Sequence, residues 1–141
     1  MSLTGIRDAS LSLDEVLRAV ADEGSGAVVT FLGVVRNHSA GRAVTKLEYH
    51  AYPTMAETEL AAIAAELEAE HPGARVACLH RVGTLAVGEP AVVCAVSSPH
   101  RERAFACCRE LIDRVKARVP IWKREHGSSG PYWVGWEDAR T

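Results

Sequence analysis

The stretch from Ser97 to Glu125, SSPHRERAFACCRELIDRVKARVPIWKRE, constrains the fold of this chain more than any other. It opens on a turn (Ser98, Pro99) and passes a His-Arg pair (His100, Arg101). Ala104, Phe105, Cys108, Leu111, Ile112 and Val115 then recur at helical spacing, which predicts a helix with one buried face. Pro120 ends that helix and must redirect the chain, so Trp122, Lys123, Arg124 and Glu125 begin a new segment. At about 100° per residue, Lys116 falls on the edge of the buried face, half-shielded by the core it borders.

A helix with a solvated basic edge is the plain reading of such a run, because lysine and arginine are mostly surface residues. The company of these cations suggests more. His100 and Arg101 stand at the helix start, where free N–H groups and the helix dipole favour an anion. Lys116 and Lys123 bracket the other end. At 1.5 Å per residue the two ends lie about 25 Å apart, so one small ligand cannot touch both within one copy. Either there are two sites, or two copies of the chain face each other and build one site together.

A length of 141 residues predicts a single domain, 1–141, large enough for a substantial core. The formal net charge of −2 argues against broad nucleic-acid or membrane attraction, so any basic site is local. No stretch approaches the ~18 apolar residues of a membrane span. The start, MSLTGIRDASLSLDE, lacks a basic region followed by an apolar run, which reads as cytoplasmic. The four cysteines, Cys78, Cys94, Cys107 and Cys108, form no C-x-x-C pair and read as buried small hydrophobes in a reducing compartment. The six histidines show no ligand spacing, so neither a metal nor a cofactor is expected.

Along the chain, Ser12 to Glu15 reads as a capping box before a helix that carries Leu13, Val16, Leu17 and Val20 and ends at Gly24 and Gly26. GAVVTFLGVVR (26–36) reads as a central strand in which Gly33 marks a bulge or a close backbone approach. NHSAGRA (37–43) reads as a loop, and VTKLEYHAY (44–52) as a strand antiparallel to the first. Thr54 and Glu57 form a second capping-box pattern before a helix with Leu60, Ile63, Ala64 and Leu67 on one stripe. ARVACLHRVG (74–83) is a strand whose apolar side includes His80, read as a hydrogen-bonded core histidine. TLAVGEP reads as a loop and AVVCAVSS (91–98) as a strand. PIWKRE and PYWVGW read as short β pieces whose Trp122, Trp133 and Trp136 cluster. The order α-β-β-α-β-β-α-β-β predicts an α+β fold, a mostly antiparallel sheet with packed helices.

Arg36, His38, Arg42, His100, Arg101, Lys116, Lys123 and Arg124 suit a phosphorylated or otherwise anionic small molecule. A lysine partly buried beside other cations can serve as acid, base or nucleophile. No P-loop and no G-x-S-x-G motif is present. A cysteine nucleophile at Cys107 or Cys108 is conceivable, but the helical register turns Cys108 inward. On the residues alone, three readings stand: an enzyme, a non-enzymatic dimeric module that binds nucleotides or other anions, and a structural dimer with surface charge.

FLGVVRNH (31–38), HRVG (80–83), SSPHR (97–101) and KARVPIWKRE (116–125) resemble the catalytic, large subunit of molybdopterin synthase. The likeness runs from about Gly26 to Glu125, and its last run is the most specific. The resemblance implies an α+β fold with a hammerhead-like subdomain and a homodimer carrying a small ubiquitin-like sulfur-carrier subunit at each end, a heterotetramer. It implies conversion of cyclic pyranopterin monophosphate to molybdopterin, with two sulfurs supplied by the carrier's C-terminal thiocarboxylate. It places the catalytic roles on Lys116 and Lys123. It places substrate contacts on Val34, Val35, Arg36, His100, Arg101, Lys116, Lys123, Arg124 and Glu125, with the pocket drawing on both copies. Some relatives carry lysine where Val34 stands, which a backbone contact would tolerate.

Overall fold

The computed structural model describes residues 2–127 and 131–134. Thirteen elements follow one another in it: β1 (Leu3–Arg7), α1 (Leu13–Val20), β2 (Ala27–Val34), β3 (His38–Ser39), β4 (Arg42–Ala43), β5 (Lys46–Ala51) and α2 (Pro53–Glu70), then β6 (Arg75–Arg81), β7 (Gly83–Ala86), β8 (Pro90–Ser98), α3 (Arg101–Arg118), β9 (Ile121–His126) and β10 (Tyr132–Val134). This is the α+β class expected, with strands in two four-stranded sheets ordered β1-β6-β8-β2 and β10-β9-β5-β7. Only the β1–β6 pairing is parallel in those sheets. No described helix is long and apolar enough to cross a membrane.

The central strands of the first sheet, β6 and β8, are buried on both faces, whereas the edge strand β2 exposes Val28, Leu32 and Val34. Val76 and Cys78 of β6, with Cys94 and Val96 of β8, meet Leu60, Ile63 and Leu67 of α2 and Leu111 of α3. Ala77, Leu79, Val93 and Ala95 point the other way and meet Val16 and Val20 of α1. A third cluster, Val35, Val44, Leu47, Leu85 and Ala91, joins the two sheets. Successive side chains alternate faces along a strand, so β6 and β8 can serve both layers only by being apolar throughout.

Several sequence expectations change. β1 was not foreseen: LTGIR is short and carries a glycine, and it becomes a strand by pairing alongside β6. β2 and β5 do not pair but lie in different sheets. The intervening 37–43 segment contains a small hairpin, β3–β4, whose turn residues Ala40 and Gly41 both have positive φ (49° and 79°). Part of the expected TLAVGEP loop is β7, paired to β5. α1 is capped by Ser12, which accepts from the Glu15 N–H as expected, but it ends earlier, at Ala21. α2 starts before the expected Thr54 cap, with Tyr52 as N-cap and Pro53 in its first turn. Glu57 is free of capping duty and accepts from the Ile6 N–H instead. Phe105 is 62% exposed rather than buried, because it lies 100° around the helix from Ala104, which heads the buried stripe. Trp136 lies outside the described residues.

The Gly33 expectation is met as a bulge, and the crowding there comes from a side chain rather than from backbone. A Cβ there would stand 2.7 Å from Val92 Cγ1, and the β2–β8 register slips between Gly33 and Val34. Gly33 pairs with Val92 and Val34 with Pro90, so Ala91 is the extra residue.

Candidate active site

The end of α3 and the start of β9 create the site. Val119 caps the helix and Pro120 turns the chain, its carbonyl accepting from the Tyr52 N–H. β9 then runs antiparallel to β5, which places Lys123 opposite Tyr49. Alternation sends Ile121, Lys123 and Glu125 to the inner side of this sheet. Lys116, in the last turn of α3 and exposed rather than half-shielded as expected, borders the same space. The resulting cavity, about 350 Å³, is bordered by Lys116, Lys123, Glu125, Tyr49 and His80. Its mouth includes Val34, Arg36, His38 and Ser39, from the end of β2 and the β3–β4 hairpin.

The charges are unevenly satisfied. Lys116 and Arg36 make no ion pair or hydrogen bond with a described residue. Glu125 is 2% exposed, its carboxylate lying 3.8 Å from Lys123 Nζ and 3.6 Å from Arg42 Nη2. Its Oε1 accepts no hydrogen bond from the described residues. Burial pushes the Lys123 ammonium below the usual lysine range, and the positive charges of Lys116 and Arg36 push the same way against the pull of Glu125. Burial, with Glu125 nearby, lifts the Tyr49 phenol to about 12, so it remains a donor. His80 is pushed down to about 4, chiefly by burial and further by the charge on Lys116, so its imidazole is neutral. The cavity thus offers cations, a phenol and a neutral imidazole to a negatively charged guest. Proton donors and acceptors in a partly dry space are what acid–base chemistry on such a guest needs.

The sequence-predicted residues are not all in one place. Val34, Arg36, Lys116, Lys123 and Glu125 share this cavity. Val35 is buried in the core between the sheets, its N–H donating to the Glu89 carbonyl and its carbonyl accepting from Gly88. Arg124 points to the other face of β9, its guanidinium 5.5 Å from the Trp133 ring centre. Trp122 and Trp133 flank His50 on that outer face. His100 is the N-cap of α3 and borders a second hollow with Ser98, Pro99, His71 and Arg103. Arg101 is exposed beside it. The separation inferred from helix length therefore holds within one copy. Tyr49 and His80 line the cavity without having been singled out as candidate site residues. Tyr49 lay in an alternating strand with no chemical motif, and His80 looked like core because its strand neighbours are apolar.

The cysteines are all buried, and burial raises the Cys107 and Cys108 thiols to about 12 and about 11, which leaves them poor nucleophiles. One cluster away from the cavity has metal-like spacing: Glu70, His71 and Glu110, with ligand atoms within 4.8 Å of one another. Arg114 already pairs with Glu70 at 2.7 Å, and Glu110 lies 2.6 Å from His71, so its own ion pairs close it.

Residues 6–118 match the model of the MoaE protein family. This chain belongs to the MoaE family. The molybdopterin synthase catalytic subunit 1 of Mycobacterium tuberculosis is 47% identical to it over 130 residues, spanning 92% of this chain and 88% of that protein. Among solved structures, molybdopterin synthase from Staphylococcus aureus superposes with a TM-score of 0.89 at 39% identity, covering 93% of this chain and 96% of that one. A chain from the Helicobacter pylori protein–protein complex of subunits 1 and 2 of molybdopterin-converting factor has a TM-score of 0.76 at 20% identity, covering 93% and 89%, a likeness of fold. Within the MoaE family fold, the cavity between α3 and the second sheet brings Lys116, Lys123 and Arg36 together.

Proposed function

We propose that the cavity lined by Lys116 and Lys123 is where this MoaE-family chain, a molybdopterin synthase catalytic subunit of molybdenum cofactor biosynthesis, carries out its chemistry. The reaction inserts two sulfurs, as a dithiolene, into cyclic pyranopterin monophosphate. The sulfurs come from the thiocarboxylated C-terminus of a small ubiquitin-like carrier subunit. The observation that carries the reading is the meeting of Lys116 from α3 and Lys123 from β9 in one cavity with Arg36 at its mouth. Lys116 and Lys123 move protons and hold developing negative charge, and the burial that lowers Lys123 favours giving up its proton. Arg36 binds the phosphate.

The second hollow at the start of α3 supports a shared site. His100 and Arg101 cannot reach the cavity of their own copy, so in a homodimer they complete the partner copy's substrate site. With a carrier at each end the assembly is a heterotetramer. An anion-binding module without turnover has no use for cations held beside a neutral imidazole and a protonated phenol. The test is single-turnover dithiolene formation from saturating thiocarboxylated carrier and cyclic pterin. Product from the parent chain and none from Lys116→Ala is the expected result. Equal product from both overturns the assignment of the cavity.

A further inference from the structure

We propose that His80 is a catalytic residue of this cavity, its Nε2 taking a proton from the bound substrate. The inference rests on the cavity being the pterin site. His80 sits near the end of β6, on the side that faces α3, and borders the cavity shared with Lys116 and Lys123. Its ring stands edge-on to Tyr49, with centroids 5.2 Å apart. Nδ1 lies 2.8 Å from the Arg81 carbonyl oxygen. A carbonyl can only accept, so Nδ1 carries the hydrogen and the tautomer is fixed. The lone pair is therefore on Nε2, which has no hydrogen-bond partner among the described residues.

The setting makes that lone pair unusual. Lining the same cavity are Lys116 on α3, Tyr49 on β5, Lys123 and Glu125 on β9, and Arg36 beyond β2. Lys116, Lys123, Arg36 and the Tyr49 phenol are donors, and Glu125 is engaged by Lys123 and Arg42. A histidine serving the core alone would have both nitrogens either paired or sealed in apolar surroundings. Here one nitrogen is tied to the backbone and the other is left to the cavity. Burial and the Lys116 charge keep the imidazole neutral in the free protein. A substrate phosphate between His80 and Lys116 would offset that charge and make the imidazole a better base.

The step balances simply. An O–H or N–H bond of the substrate breaks and its electron pair stays on the substrate. A bond from Nε2 to the proton forms, and the ring becomes imidazolium, still bonded through Nδ1–H to Arg81. The proton returns to the substrate or to solvent later in the cycle, with no net oxidation.

The experiment uses the full chain with thiocarboxylated carrier and cyclic pterin. His80→Asn keeps an amide N–H able to reach the Arg81 carbonyl but has no atom at the Nε2 position. We expect its single-turnover rate to fall at least about a hundredfold, with half-saturation by pterin changed less than about threefold. In His80→Ala, free imidazole should restore turnover in proportion to its neutral form, which a purely structural histidine would not allow. In the parent, nitrogen-15 NMR of labelled histidine should show Nε2 unprotonated and its resonance moving when pterin binds. A His80→Asn rate within about threefold of the parent, loss in His80→Ala that imidazole leaves untouched, or an Nε2 already protonated in the free protein overturns the inference. Lys116→Ala is run beside them. If it is inactive while His80→Asn is active, only the role of His80 falls; if it is active, the cavity assignment itself falls.

Discussion

One helix, α3, carries two kinds of cation. On its outer side Arg118 is held by Glu66 at 2.7 and 2.9 Å and by Glu59 at 3.0 Å, and Arg114 by Glu70 at 2.7 Å. These contacts hold the Glu66 and Glu70 carboxyls below the usual carboxylate range, the hydrogen bonds from Arg118 and Arg114 being the main causes. Between those two arginines in sequence, Lys116 is exposed at the border of the cavity and pairs with nothing described. The difference shows what each set is for. A paired arginine on a solvated seam ties two helices together and has little left to offer a ligand. An unpaired lysine beside a cavity stores no stability, and its charge remains available for a guest. The planar fork of arginine suits the first task and the compact, titratable ammonium of lysine the second.

The sharpest way to break that contrast is Lys116→Ala. Loss of a positioned acid–base group predicts a fall in single-turnover rate of about a thousandfold, and Lys123→Ala should follow with a somewhat smaller loss. Lys116→Ala should give an unchanged circular dichroism spectrum and melting curve, and Lys123→Ala an unchanged spectrum with a lower melting temperature, because buried Glu125 loses a partner. Lys116→Arg should not rescue, because a guanidinium does not release its proton near neutrality. A rate within a few-fold of the parent would put Lys116 in the same class as Arg118.

The second measurement is stability against pH. His80 is held at about 4 in the fold against 6.5 in the unfolded chain, so the unfolded state takes up the proton first. Its contribution is intact above pH 6.5 and is lost as pH falls towards 4, about 3 kcal/mol by linkage. Urea melts at pH 7.5 and 4.5 should show that loss in the parent, and His80→Asn should lose clearly less over the same interval. Because the Lys116 charge adds to the lowering, Lys116→Met should move the parent's acid limb to lower stability cost. A pH dependence identical in parent and His80→Asn would remove His80 from the account.

Next in size is Arg36→Ala. Losing a charged hydrogen bond to phosphate costs about 1.5–3 kcal/mol, which is roughly ten- to a hundredfold in substrate requirement. The maximal rate should change less than the half-saturation. A titration with cyclic pterin that is unaltered in Arg36→Ala would show that the phosphate lies elsewhere.

The smallest effect is expected from the paired set. Arg118→Gln should leave sulfur transfer within about twofold of the parent and lower the melting temperature slightly, less so at high salt. A large loss of activity in Arg118→Gln would show that the seam and the cavity are coupled, and the division drawn between them would fail.

How much of this was legible in the residues varies with how local each signal is. The cap at Ser12, the interruption at Gly33 and, Phe105 apart, the buried stripe of α3 are written within a few positions and are found where expected. Pairing β1 with β6 joins residues some seventy positions apart, and nothing in LTGIR announces it. The two-sheet arrangement was hidden for the same reason: β2 and β5 each alternate, and alternation does not name a partner strand. For the site, helical spacing placed Lys116 at the edge of the core. Sequence also put Lys123 at the same helix end, but their shared role came only from the family resemblance, because Pro120 uncouples the two local patterns. His80 is buried and hydrogen-bonded to the Arg81 carbonyl, as read, but its place at the cavity was not legible, because a strand face that lines a cavity and one that lines the core carry the same apolar neighbours. Arg124 was placed at the site by the resemblance, and in this structure the period of the strand sets its side chain against Trp133 on the other face of β9.

The slip between β2 and β8 has a consequence of another kind. Ala91 has no opposite number on β2, yet its presence sets the phase of everything between it and β7. A scan that swaps residues one at a time would see a small buried alanine there and little else. A scan that removes residues one at a time would see something different. Without position 91 the ladder closes up, Pro90 and Glu89 change parity, and the Glu89 carbonyl no longer meets the Val35 N–H that holds the chain just ahead of Arg36. At that position the chain carries its information as a count rather than as a side chain.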